Sequence, residues 1–226
     1  MATTGAPGAP PVLPDFGPTL PALLRRRFGL RERVTTAVAV ALVAVVGVAA
    51  LAGVLLTGPR QLTYRGGPTF NILYDGGVLH RVAPRGDELV RLEAHRGVIT
   101  ASITVSPLRL PAYGGNVTSG LLPVYEDRFE RELTSSTTGF VEHDDGRARV
   151  NDGQGYQLGF QSGPRGLPTW GRDILLVPRD EGVTTGVVLH LRQTKAGSFT
   201  KHDQGFLGHV RKAFWSFNFG TDRAKW

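Results

Sequence analysis

The sequence predicts an antiparallel α+β domain preceded by one transmembrane helix. Three observations carry this. An uncharged apolar run extends from Val34 to Leu56; beyond it, short segments alternate apolar and polar residues; among these lie two stretches with apolar residues at helical spacing.

The apolar run holds 23 residues, almost all Ala, Val or Leu. At about 1.5 Å per residue a helix of that length reaches roughly 35 Å, enough for a hydrocarbon core of about 30 Å with some tilt. A buried helix of a globular domain would carry a polar stripe, and this run has none. Arg25, Arg26, Arg27, Arg31 and Arg33 lie just before it, whereas Arg60 and Arg65 are the nearest cations after it. Cationic flanks stay in the cytoplasm, so residues 1–33 are expected inside and residues 57–226 outside. Ala50-Leu51-Ala52 has the small-x-small form of a signal-peptidase site, and Arg25-Arg26-Arg27-Phe28 resembles a twin-arginine export signal. The run continues past Ala52 to Leu56, beyond the roughly 7–15 residues of a signal core. Gly29 also breaks the twin-arginine pattern, so a retained anchor is expected. The chain has no cysteine, so a lipid-modified thiol is excluded as a substitute anchor. Ala37, Ala41, Ala49 and Gly53 share one helical face, interrupted by Val45. Such a stripe lets a partner helix approach closely, and an Ala-rich helix also produces one by chance.

The domain plan follows. Residues 1–33 are rich in Pro, Gly and Ala and are expected to be a disordered cytoplasmic tail. Within it Pro11 with Pro14, and Pro18 with Pro21, have the PxxP spacing of polyproline ligands, a spacing ordinary spacers also show. Residues 34–56 form the membrane helix, 57–67 a polar linker, 68–220 the external domain and 221–226 a short tail. About 170 residues beyond the anchor make one domain with room for a proper core.

Inside that domain, Thr69 to Tyr74 reads as a strand with Phe70, Ile72 and Tyr74 on one face, followed by a turn at Gly76-Gly77. Val98 to Val105 is a longer strand, and the Pro-, Gly- and Asn-rich residues 107–120 are expected to form a loop. Leu121, Tyr125, Phe129 and Leu133 recur at four-residue steps, with Glu126, Arg128, Glu130 and Arg131 between them, which predicts an amphipathic helix with the charged side chains in solvent. Further strands are expected around Ala148 to Val150, Tyr156 to Phe160, Asp173 to Val177 and Val183 to Arg192, the last two joined by a turn at Asp180-Glu181-Gly182. Phe206, Val210, Ala213 and Phe214 form a second helical stripe, and Phe217 and Phe219 then alternate like a short strand. Strands, helix, strands, helix and terminal strand make an antiparallel α+β sandwich.

Composition excludes several classes of function. Without cysteine the domain holds no disulfide, thiolate metal site or thiol nucleophile. The formal charge is +7, of which five arginines against Asp15 and Glu32 place +3 before Val34. The external cations are scattered among acids, so no nucleic-acid partner is expected. A basic surface near a membrane would still feel anionic lipid or cell-wall polymer.

Phe70-Asn71-Ile72, the helix around Tyr125 to Leu133, and Phe214-Trp215-Ser216-Phe217-Asn218-Phe219 occur in the order found in PsbP-like domains, including the LpqN-type lipoproteins, and the chain resembles that family over nearly all of residues 68–220. Such domains open on F-x-I followed by a turn and close on a helix running into S-F-x-F. This chain departs from them at Asp75-Gly76-Gly77, where the family often has Pro and Trp. The resemblance implies an α/β/α sandwich that serves as a binding or assembly module beside membrane complexes, and it supplies no catalytic residues.

The search for chemistry finds no local constellation. His80, His95, His143, His190, His202 and His209 show no metal-ligand spacing, and each is expected to be a surface or structural residue. His143-Asp144-Asp145-Gly146 and Asn151-Asp152-Gly153 suggest a hard-cation loop, but Arg147 and Arg149 stand where acids would be required, and two turns explain both. There is no G-x-S-x-G, and Ser135-Ser136 end a helix with nothing local to orient them. Gly114-Gly115-Asn116 and Gly163-Pro164-Arg165-Gly166 lack the setting of a phosphate loop. Asn116-Val117-Thr118 matches a glycosylation acceptor. The expectation is therefore a non-enzymatic, single-pass protein without cofactor, metal or small-molecule substrate. Its external domain would bind or scaffold an envelope or membrane complex. Loops 107–120 and 163–170, with Tyr113, Asn116, Arg165 and Trp170, are the expected binding edge. Two alternatives stand: an envelope hydrolase or transferase with a site assembled from distant residues, marked by a pocket joining His95 or His143 to a carboxyl of raised pKa, and a small-ligand carrier with an apolar cavity.

Overall fold

The computed structural model describes residues 23, 26, 32–179 and 184–221. The expected cytoplasmic tail with its PxxP spacings, the Asp180-Glu181-Gly182 turn and nearly all of the C-terminal tail lie outside the described residues. The chain divides into two units between Leu55 and Leu56.

Helix α1 (Glu32–Thr57) contains the whole apolar run. Ala37, Ala41, Ala49 and Gly53 stand at exposed positions on it. Among the described residues no helix is long and apolar enough to cross a membrane.

The second unit runs β1 (Pro59–Tyr64), β2 (Phe70–Asp75), β3 (His80–Val82), β4 (Val90–Arg96), β5 (Ile99–Arg109), a π-helical turn (Val117–Leu121), α2 (Leu122–Ser136), β6 (Val141–Val150), β7 (Gly153–Ser162), β8 (Thr169–Val177), β9 (Thr185–Thr194), α3 (Lys201–Trp215) and β10 (Asn218–Phe219). Seven strands form one sheet in the order β3-β4-β5-β9-β8-β7-β6, and β1-β2-β10 form a second. Every pairing is antiparallel. The segment expected to be a linker thus carries β1, whose only buried residue is Leu62. Residues 107–120 include the end of β5 and the π-helical turn rather than loop throughout.

Helices cover both faces of the large sheet. Phe206, Leu207, Val210, Ala213 and Phe214 of α3 pack with Leu92, Ile103, Val187 and Leu189. Leu122 of α2, with Tyr125 and Phe129, packs against Leu175, Val177 and Val188. Val188 and Leu189 are successive on one strand and point to opposite faces, so the two helices sandwich the sheet. The motif strands meet as well. Asn71 pairs with Asn218 and Phe70 with Phe219, and the Phe70 and Phe217 rings stack at 5.2 Å.

One expectation on α2 is overturned. Glu126 was assigned to the solvated side, but it is 2% exposed and is buried with Leu122 one turn before it. Leu121, Tyr125 and Phe129 do pack against the sheet, and the covered face extends one residue further round the helix to take in Leu122 and Glu126.

Candidate functional site

The cleft that holds the most chemistry lies on the α3 face, over β6, β7, β8 and the end of β9. A β-bulge builds one wall. Glu142 pairs with Phe160 and Asp144 with Gly159, which leaves His143 as an extra residue in β6. A bulge re-aims a side chain, and here the His143 ring stacks on Trp170 of β8 at 5.2 Å and 17°. Next to it the Asp144 side chain crosses β7 at Gly159, where any Cβ would collide with its Oδ1. It thereby reaches Arg172 on β8: Arg172 Nη2 lies 3.0 Å from Asp144 Oδ2. Gln157 joins the pair, accepting from Arg172 Nη1 at 2.6 Å and donating to Asp144 Oδ2 at 3.3 Å. Gln193 of β9 sits beside Trp170 in the ladder, with its amide nitrogen buried and without a hydrogen-bond partner. Arg211 of α3 closes the far side and donates to Gln204 at 2.7 Å. The cleft opens to solvent and has a volume of about 340 Å³.

Its chemistry is that of recognition. An aromatic plane, two guanidinium groups and an unmet amide donor face the space, and the one carboxylate, Asp144, already receives hydrogen bonds from Gln157 and Arg172. No hydroxyl, thiol or amine lines it; Asp144 is held by Arg172 and Gln157, and the His143 ring is stacked on Trp170.

The carboxyls of raised pKa lie elsewhere. Burial, and then the charges of Asp145, Asp127, Glu130 and Glu142, push Glu126 up to about 7. Burial and then Glu130 and Asp145 also raise Glu142. Glu142 and Asp145 pair with Phe160 and Leu158, on the face that α2 covers, and neither Glu126 nor Glu142 lines a cleft holding His143 or His95. On that same face Asp173, fully buried, accepts from Arg192 Nη2 at 2.8 Å and contacts His190 Nδ1 at 2.8 Å. Burial would raise its pKa, but the charges of Arg192 and then His190 overcome this and hold the carboxyl down to about 2. Arg192 also lies 4.8 Å over the Phe160 ring. Among the described residues no group of three or more His, Asp or Glu is arranged to hold a metal ion.

The structure does not bring the four expected binding residues together. Tyr113 and Asn116 follow the C-terminal end of β5, where Arg109 pairs with Thr185. Arg165 and Trp170 lie at the other end of the sheet, where Thr169 pairs with Thr194. Nine residues of β9 separate the two ends, roughly 30 Å at about 3.3 Å per residue. Asn116 is occupied locally, its side chain accepting the Ser119 N–H at 3.0 Å. Arg165 is exposed, and Trp170 alone reaches the cleft. Sequence reading assigned Asp144 to a turn, whereas it lies in β6, and missed Arg172 and Gln193. The period-two alternation of β8 carried a signal for Arg172, but the bulge that assembles the wall has none.

No family model and no curated protein matches the chain. Among solved structures it is similar to LpqN of Mycobacterium tuberculosis, described as involved in cell envelope biogenesis, at 13% identity, TM-score 0.44, over 73% of this chain and 92% of that one. It is also similar to the cyanobacterial PsbP (CyanoP) of Synechocystis at 11% identity, TM-score 0.47, over 73% and 94%. A Pseudomonas aeruginosa protein of unknown function aligns at 12% identity, TM-score 0.39, over 74% and 99%. At these values the similarities assign neither family nor activity.

Proposed function

We propose that this chain is a single-pass, membrane-anchored binding or scaffolding protein of PsbP-like type. Its C-terminal domain lies outside the cytoplasm, and it acts without catalysis as an accessory subunit of an envelope or secretion complex. The observation that carries the binding role is the Trp170 cleft. It presents the Trp170 ring, the Arg172 and Arg211 guanidinium groups and the unmet Gln193 amide donor, with Asp144 already engaged by Arg172 and Gln157. The anchor rests on the 23 uncharged residues from Val34 to Leu56 and on the arginines before them. The α/β/α layering and the contact between Phe70-Asn71-Ile72 and Phe217-Asn218-Phe219 support the PsbP-like assignment. LpqN's described part in envelope biogenesis accords with the proposed setting.

Photo-crosslinking in intact cells from Trp170, compared with a probe at exposed Tyr113 at the other end of the sheet, tests the binding role. The account expects discrete adducts with envelope components from position 170 that Arg211→Ala reduces. Identical adduct patterns from both positions would contradict it.

A further inference from the structure

The Trp170 cleft carries a charge that the surrounding residues leave unanswered. Its lining holds two guanidinium groups, Arg172 and Arg211, against one carboxylate, Asp144. Arg172 and Asp144 balance each other at 3.0 Å. Arg211 has no such counterpart: it donates to the neutral Gln204 and makes no ion pair among the described residues. The only acid of its own helix, Asp203, is held by Lys195 at 2.6 Å. Of the other acids on β6 to β9, Glu142, Asp145 and Asp173 lie on the opposite face of the sheet. One positive charge, at an exposed position, is left over.

A second, independent feature lies on the sheet floor. The register sets Trp170 opposite Gln193 and Arg172 opposite Leu191, and Leu191 belongs to the core that includes Phe206 and Val210 of α3. Trp170, Arg172 and Gln193 therefore project to the face from which Arg211 reaches in. Gln193 is 7% exposed, and its Nε2 is buried without a partner. A buried donor left unmet is costly, and a ligand that brings an acceptor relieves the cost. The fitting group is therefore one with a single negative charge, more than one acceptor atom and an apolar stem that can lie along the Trp170 ring. A carboxylate on a short aliphatic chain has all three. A phosphate brings close to two negative charges, more than the lining balances, and a neutral amide leaves Arg211 unpaired.

We propose that the Trp170 cleft recognises the carboxylate of an aspartate or glutamate side chain on a partner protein. Arg211 is its charge partner, Gln193 Nε2 its second donor and Trp170 the surface for its stem. This rests on the reading of the cleft as the binding site and adds the chemistry of what enters it. An open cleft of about 340 Å³ is at the small end of ligand sites. Tryptophan and arginine are also the residues that most often anchor protein partners, so a side chain presented by a protein fits better than a free metabolite.

Peptide retention on the immobilised full chain in non-ionic detergent tests this. The probes are hexapeptides with both ends blocked, randomised over uncharged residues except for one central position fixed as glutamate, glutamine, lysine or phosphoserine. The glutamate set should be retained at least about tenfold better than the glutamine set, and the advantage should shrink as salt is raised. Arg211→Gln should abolish the preference, and Arg211→Glu should transfer it to the lysine set, a reversal that a merely structural role would not produce. Gln193→Leu should weaken retention of the glutamate set while leaving the melting temperature unchanged or higher, because it removes an unmet donor. Melting temperatures also establish that the Arg211 variants stay folded. Equal retention of the glutamate and glutamine sets, stronger retention of the phosphoserine set than of the glutamate set, or a preference that survives in folded Arg211→Gln would overturn the assignment. Adducts from position 170 that persist in intact cells after such a result would leave the binding role standing and remove only the carboxylate.

Discussion

Glu126 and Asp173 show how differently the α2 side of the sheet treats two buried carboxyls. Asp173 is paired, and Glu126 is not. With Oε1 lacking a partner and Asp127, Glu130, Glu142 and Asp145 nearby, Glu126 is favoured in its neutral form when folded. Because its folded pKa of about 7 lies above the ordinary glutamate value of 4.5, its contribution is fully present below about pH 4.5 and is lost as pH rises through 7. Glu126→Gln should therefore leave stability at pH 5 nearly unchanged and raise it at pH 8, by up to about 3 kcal/mol. Urea unfolding at both pH values reads this difference. The sign reverses at Asp173, whose carboxyl is held down to about 2: its contribution is present above the usual carboxylate range and disappears as pH falls toward 2. Asp173→Ala should cost about 3 kcal/mol at neutral pH, because it strands Arg192 beside the apolar sheet. The same unfolding assay measures that loss.

At the scale of elements, Ser216 explains what the serine of S-F-x-F does. Buried just after α3, its hydroxyl accepts the Leu73 N–H at 2.9 Å and reaches the Leu73 carbonyl at 2.8 Å. It replaces a strand partner at the point where β2 passes from β10 to the helix end. Ser216→Ala leaves the Leu73 N–H unpaired and removes a hydroxyl proton shared between the Leu73 and Ala213 carbonyls, and should cost about 1–3 kcal/mol, seen as a lower denaturation midpoint. Gly159→Ala should likewise break the Asp144–Arg172 pair, because the added methyl takes the path of the Asp144 side chain; loss of adducts from position 170 with the fold retained is the expected result. Much of this level was legible. The β5, β8 and β9 strands and the α3 stripe announce themselves because they are rich in buried Ile, Leu, Val and Phe. β4 was missed although Val90, Leu92 and Ala94 alternate with Arg91 and Glu93, because the charged residues masked the strand. β1, β3 and most of β6 carried almost no signal, because edge strands expose both faces and need little hydrophobicity. The Trp170 cleft could not be read from the sequence, because it depends on a bulge that leaves no compositional mark.

For the whole molecule, the proposal separates an N-terminal segment inside the cell from a folded domain outside it. The chain supplies a clean background for locating both, because it contains no cysteine. Leu167 lies exposed in the loop between β7 and β8, and Ala2 belongs to the proposed cytoplasmic segment. Single-cysteine variants Leu167→Cys and Ala2→Cys, treated with a membrane-impermeant maleimide on intact cells and again after permeabilisation, give the most direct test. The account predicts that position 167 reacts in intact cells while remaining with the membrane fraction, and that position 2 reacts only once the membrane is opened. Labelling of position 167 only after permeabilisation, or its recovery in the culture fluid without the N-terminal segment, would contradict it.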